Sequence, residues 1–375
     1  MTIRTVTNSG HTEQLLDARG QAILSAIIKE HLVTGEPVGS KTVAERFAGS
    51  AGWSSATIRN VMGELEEAGL VEQPHTSAGR TPTDKGYRYY VDHLLSDARL
   101  SRADIASIER VLNSSRAQTE GTGTSGHLME NVSRLLSTLS ENVGIVVSPS
   151  FVENGLQHIE FVKLAEDRIL VILVFSSNIV QHKVIHIDES FSQDELERTA
   201  RYLNAEFGGK SLAEIRAAIL ELMHEETALF DKLLQTAMII CSQSIESEED
   251  NLGDVYVDGT SNMLIKRDFA DMERLRQLIR TIEEKSRLVQ ILTECIARDA
   301  SLRGNVQVVI GSENTASSLQ NCTLITAPYR IGNGEAMGTL SVLGPTRIEY
   351  ARMISIVSYV AKILEKLVMQ ENSKI

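Results

Sequence analysis

The residues with the clearest chemical use lie in SSATIRNVMGELEEAGL, residues 54–70. Ile58, Val61, Met62 and Leu65 recur at helical spacing and share one face. The opposite face then presents Ala56 and Asn60, flanked by Thr57 and Arg59, with Ser55 at the start of the helix. A helix that enters a major groove needs such side chains. Arg reads guanine, Asn reads adenine, and Ser, Thr and Ala allow close approach or meet a thymine methyl. Glu64, Glu66 and Glu67 fall in the second half of the helix, where they would point away from phosphate. An ordinary helical domain with a solvated polar face fits the same pattern.

Charge alone does not separate these readings, because residues 17–103 hold 10 Lys plus Arg against 11 Asp plus Glu, a net of −1. Distribution favours nucleic acid. Lys41 opens a short helix, Arg59 sits on the candidate reading helix, and His75, Arg80, Lys85 and Arg88 crowd the stretch after it. These side chains are expected to follow a phosphate backbone, with the amides of Ser40, Lys41 and Thr42 adding donors.

Other chemistries find little support. GNGEAMG, residues 332–338, resembles a dinucleotide fingerprint, but its third Gly is one place late and a strand pattern follows. His224-Glu225-Glu226 starts like a zinc-protease helix, yet position 228 is Ala. His182 and His186 share a strand face without an evident third ligand. Cys241, Cys295 and Cys322 are too widely spaced for a metal knuckle or a disulfide framework and read as buried free thiols. No enzyme, cofactor or metal site is expected.

The elements that must position the reading helix are legible around it. Ile23, Leu24, Ile27, Ile28 and Leu32 mark a first helix that Gly35 and Pro37 stop. Ser40 is expected to cap the second helix, KTVAERF, and Ser54 or Ser55 the third, which Gly69 terminates. LVEQP and HTSAGRTP, with a turn at Ser77-Ala78-Gly79, then form a hairpin before a helix in TDKGYRYYVDHLL. Three helices too short to stand alone, followed by a hairpin, imply one compact unit.

The whole chain has 375 residues, a net charge of −13 and 42% hydrophobic residues, which is globular composition with room for two or three domains. Its longest apolar run, ILVILVF at residues 169–175, is far below the ~20 residues of a membrane span. The first twenty residues lack an apolar signal region, so a cytoplasmic protein is expected.

The chain divides into a polar tail at 1–16, a helical and hairpin unit at 17–103, an antiparallel-sheet domain beginning at 104–190, a helical insertion at 191–250 and the rest of the sheet domain at 251–375. Residues 113–126 read as a loop, and a single long helix is expected from about Asp271 to Arg298. The last helix carries two apolar stripes. One contains Tyr350, Ile354, Val357, Ala361, Leu364 and Val368; the other contains Met353, Ile356, Val360, Ile363 and Leu367. Either one stripe meets a partner, or both are buried within the chain.

VGSKTVAERF, SSATIRNVMGELEEAGLVEQPHTSAGRTPTDKGYRYYVDHLL, DGTSNMLI, VVIGSEN and GTLSVLGPTRIEYARMISIVSYVAKIL resemble successive blocks of the heat-inducible transcription repressor HrcA family. The resemblance runs from about Asp17 to the C-terminus and is carried most specifically by HTSAGRTPT. It implies an α+β fold: an N-terminal winged helix-turn-helix plus a GAF-like antiparallel-sheet domain with a helical inserted dimerisation subdomain. It also implies a homodimer on double-stranded DNA, at the inverted-repeat operator CIRCE. Such a repressor acts on the groE and dnaK chaperone operons and is tuned by the chaperonin GroEL. By position, Ser55, Thr57, Arg59 and Asn60 would lie on the recognition helix and residues 75–80 would form the wing. Thr81 stands before Pro82 where the family pattern has an aliphatic residue, and the first sixteen residues are additional.

Two rival functions follow from the same organisation. In one, the GAF-like domain binds a metabolite that alters dimer geometry. In the other, the insertion at 191–250, whose apolar faces need partners, loosens directly with temperature.

Overall fold

A computed structural model describes residues 4–8, 11–49, 52–75, 78–95, 99–119, 125–149, 155–164, 168–175, 180–186, 191–211, 214–215, 218, 254–297, 306–331 and 336–372. The chain begins with an antiparallel pair, β1 (Arg4–Asn8) and β2 (His11–Leu15), where the sequence suggests only a polar tail. Three helices follow: α1 (Ala18–Thr34), α2 (Ser40–Phe47) and α3 (Ser55–Glu67). Gly35 ends α1 at φ 71°, a left-handed conformation that glycine adopts without a Cβ penalty. A short hairpin, β3 (Val71–Glu72) with β4 (Thr81–Pro82), pairs Val71 with Pro82. It leads into α4 (Asp84–Tyr89), which continues as a wider turn through Leu94.

The body is a three-layer sandwich. Its five-stranded antiparallel sheet has the order β10–β11–β12–β5–β9, with β5 at Val143–Val147, β9 at Val255–Asp258, β10 at Gln307–Ile310, β11 at Cys322–Ile331 and β12 at Ala336–Pro345. Alternate side chains of each strand face opposite layers. Val146, Val308, Ile325, Leu340 and Val342 meet α5 (Arg102–Thr119), α6 (Ser125–Ser140) and the final helix, Tyr350–Asn372. That same core runs without a break into α1, α3 and α4. Val143, Ile145, Val309, Leu324 and Leu343 instead meet two helices, Met272–Glu283 and Lys285–Ala297.

A second unit has its own core. Strands β6 (Leu156–Lys163), β7 (Arg168–Phe175) and β8 (Val180–His186) form a separate three-stranded sheet covered by α7 (Gln193–Phe207). Asn204 on α7 accepts from the Ile159 amide at 2.7 Å and donates to its carbonyl at 2.9 Å, fixing helix to strand. A bridge between Gly155 and Ser211 closes the unit. These three strands therefore belong with α7 and not with the five-stranded sheet, so the break between cores precedes Leu156 and does not fall at residue 191. Most of the expected helical insertion, together with Cys241 and His224, lies outside the described residues.

Other expectations change as well. The stretch 113–126 is not a free loop, because α5 continues to Thr119 with Ile108 and Leu112 fully buried. The long helix expected from Asp271 is two helices that break at Glu284, where residues 283–287 are all exposed. Both stripes of the last helix turn inward: Tyr350, Val357, Ala361 and Leu364 are buried, and so are Met353, Ile356, Val360 and Leu367. Ile354 and Ile363, one from each stripe, are only half-buried. Cys295 and Cys322 are buried, and burial pushes the Cys322 thiol up to about 12. No helix among the described residues is long and apolar enough to cross a membrane.

Candidate nucleic-acid interface

The start of α3 is built from three serines. Ser54 is the N-cap, its hydroxyl accepting from the Thr57 amide at 3.2 Å and lying 3.0 Å from the Thr57 hydroxyl. The Ser55 hydroxyl meets that of Ser40 at 2.9 Å, which ties the first turn of α3 to the first turn of α2. Ser40 is buried and is the first helical residue of α2 rather than its cap; Gly39 occupies the cap position and offers no side chain. The α2 amides thus lack a side-chain cap, while Lys41 and Thr42 beside them are exposed.

Ile58, Val61, Met62 and Leu65 anchor α3 in the core. This leaves Ala56, Arg59 and Asn60 exposed and Thr57 half-exposed. Burial of one face therefore presents the other as an amphipathic helix does, with small and hydrogen-bonding side chains concentrated in its first turns. Phe47 packs on Trp53 at 4.9 Å between ring centroids, and the Arg19 guanidinium lies 5.7 Å from the Trp53 ring, bracing the loop that precedes the helix.

The hairpin is held to this centre through its backbone. Val38 and Arg80 exchange two amide–carbonyl bonds of 2.9 Å each, so a third extended segment joins the pair just before α2. Gly79 approaches the Val38 backbone so closely that a Cβ would collide with it. Within a few residues, the N-terminus of α2, the N-terminus of α3 and the hairpin strand converge.

The other candidate residues are placed unevenly. His75 is exposed at the hairpin, and Ser77 lies outside the described residues. Arg80 is half-buried and pairs with Glu66 at 2.8 Å. Lys85 is exposed and donates from Nζ to the Ala68 carbonyl at 2.9 Å, close to the C-terminal end of α3. Arg88 departs from expectation. It turns away from the hairpin and donates from Nε to Glu313 at 2.8 Å, from Nη2 to the Val308 carbonyl, and from Nη1 to Asp92 at 3.3 Å. Its charge is engaged by the body of the molecule, so it is not available as a phosphate contact. Spacing did not betray this, because the partner is distant in sequence and belongs to another layer.

No group of three His, Cys, Asp or Glu side chains among the described residues could hold a metal ion. Residues 332–335 lie outside the described residues, and β12 follows from Ala336, so a strand and not a helix comes after the glycine-rich stretch.

Comparison with known proteins agrees with this architecture. Residues 126–354 match the family model described as the HrcA protein C-terminal domain. The chain is 41% identical over 356 residues to the heat-inducible transcription repressor HrcA of Geobacter sulfurreducens, covering 95% of this chain and 99% of the relative. It is 35% identical to that of Syntrophobacter fumaroxidans, covering 94% and 97%. A crystal structure described as a hypothetical protein superposes with a TM-score of 0.58 at 23% identity, covering 95% of this chain and 99% of that one, which shows a shared fold. By family model and by identity over almost its full length, the chain belongs to the HrcA family of heat-inducible transcription repressors.

Proposed function

We propose that this chain is a negative transcriptional regulator of class I heat-shock operons, the groE and dnaK chaperone operons. It binds the CIRCE inverted repeat as a homodimer, is tuned by GroEL, and acts in the cytoplasm at the nucleoid. The observation that carries the proposal is the solvent face of α3, where Ala56, Arg59 and Asn60 stand exposed on a helix whose other face is anchored in the core. Thr57 and Ser55 complete its first turn, while Lys41, Thr42 and the uncapped α2 amides offer donors for phosphate. His75, Lys85 and Arg80 extend the positive side toward the hairpin, and Arg80 must exchange Glu66 for a phosphate to take part.

A homodimer follows from the reading range of one short helix. One α3 contacts only a few base pairs, whereas two related by a two-fold axis read an inverted repeat and multiply specificity. Substitution separates the roles. Arg59→Ala is expected to cost about 1–3 kcal/mol on the operator and to relax preference at one position. Lys85→Ala is expected to weaken all duplexes alike and lower the salt slope by about one. Fluorescence anisotropy with operator and scrambled duplexes checks both, and an equal loss on the two duplexes for Arg59→Ala would remove it from base reading.

A further inference from the structure

The helical and hairpin unit is docked on the body by two sets of directional polar contacts, and neither is explained by folding of the unit itself. On α4, the Arg88 guanidinium forks onto both Glu313 carboxylate oxygens and onto the Val308 carbonyl. Glu313 is itself held, accepting from the Ile310 amide at 2.8 Å at the end of β10. One turn earlier on α4, Asp84 accepts from the Ser312 amide at 2.8 Å. Gly311, at φ 51°, lies so close to the Asp84 carboxylate that no Cβ would fit. The second set is centred on Arg347. It donates to the Leu32 carbonyl at the end of α1 at 3.1 Å and to Asp268 at 3.1 and 2.9 Å. Between the two sets, the Tyr87 and Tyr350 rings pack with centroids 5.6 Å apart.

Apolar packing of this kind is attractive but has little directional preference. A guanidinium fork on a held carboxylate has a defined orientation as well as energy. The Arg88 and Glu313 side chains are only 20% and 33% exposed, which limits screening by salt.

We infer that Arg88 and Glu313 are positioning residues for operator recognition: through them the body sets where the two α3 helices of a homodimer stand, and hence which half-site spacing is read. The inference rests on the operator reading above. Moving one half-site by two base pairs shifts it by about 7 Å and rotates it by about 70°. A unit fixed at two separated points over a shared core resists that displacement more than one that keeps the core and the Arg347 contacts but has lost the Arg88–Glu313 point.

The test uses the full-length chain and its Arg88→Gln, Glu313→Gln and Arg88→Lys variants. Anisotropy is measured on the CIRCE repeat, on repeats with the spacer changed by two base pairs either way, on one half-site and on a scrambled duplex. The glutamine variants should bind the half-site and scrambled duplexes within about twofold of the parent, with an unchanged salt slope. They should lose about tenfold or more of the preference for the natural spacer. Arg88→Lys, which keeps the charge but not the fork, should fall between. The double glutamine variant should be no worse than either single one. Unaltered spacer preference in the glutamine variants would overturn the positioning role, and so would a salt slope lowered by about one, the mark of a lost phosphate contact. Should Arg88→Gln fail to fold, Glu313→Gln and Asp84→Asn carry the same readout. A parent protein that prefers no repeat over the scrambled duplex would instead overturn the operator reading and the positioning role with it.

Discussion

Arg80 lies beside the hairpin with a carboxylate of its own chain within reach, Glu66 at 2.8 Å. An acidic partner of this kind lowers the electrostatic gain from DNA, because the pair must open before the guanidinium can meet a phosphate. Glu66→Gln is therefore expected to tighten binding to operator and scrambled duplexes alike, by several-fold at low salt, and to steepen the salt slope by up to about one. Titration of both duplexes at three salt concentrations checks this; unchanged affinity would mean that Arg80 does not reach DNA. Residue roles were legible where they depend on local spacing. Ile58, Val61, Met62 and Leu65 announce the buried face of α3, and exposure of Ala56, Arg59 and Asn60 follows from helical geometry alone. Arg88 was not legible. A basic residue just after a hairpin has the same local signature whether it meets phosphate or Glu313, and only the tertiary fold distinguishes the two.

Among the elements, those with sharp punctuation were readable from sequence. Gly35 ends α1, Ser54 caps α3, and Gly69, at φ 71°, follows the end of α3. Elsewhere composition competes with packing. Asn113, Ser114 and Ser115 suggest a loop, yet α5 carries on through them once Ile108 and Leu112 are anchored in the core. The break at Glu284 was present in the sequence as EEKSR, a polar run too long for one amphipathic face, but the flanking apolar residues on both sides masked it. At the hairpin, Gly79 has a structural requirement that composition does not reveal. Gly79→Ala places a methyl group against the Val38 backbone and must push the hairpin away from α2. Expected outcomes are a stability loss of about 1–3 kcal/mol by urea unfolding and weaker binding to every duplex. A variant with parental stability and affinity would show that the hairpin can shift without consequence.

At the scale of the whole molecule, the three cores among the described residues divide the chain differently from its sequence order. The core that joins α1, α3 and α4 to α5, α6, the last helix and one sheet face is continuous, so the helical and hairpin unit and the body share buried surface. The unit of β6, β7, β8 and α7 has a separate core. Alternation along β6, β7 and β8 does not by itself assign them to a second sheet, because it records that a face is buried without recording against what. Hydrogen exchange should accordingly show the amides of α1, α3 and β11 opening together, at one free energy, with those of β6 and β7 opening in a distinct step. A reading unit that opens well before β11 would contradict the shared core.

We propose that two copies of α3, one on each protomer of a homodimer, read the two halves of one inverted repeat. The most direct test is an anisotropy titration of the full-length chain against the CIRCE repeat, a single half-site and a scrambled duplex over a range of salt concentrations. The expected result is a preference of about a thousandfold or more for the repeat over the scrambled duplex, with a salt slope on the repeat about twice that on the half-site. Weak, salt-sensitive binding of equal strength to all three duplexes would contradict it.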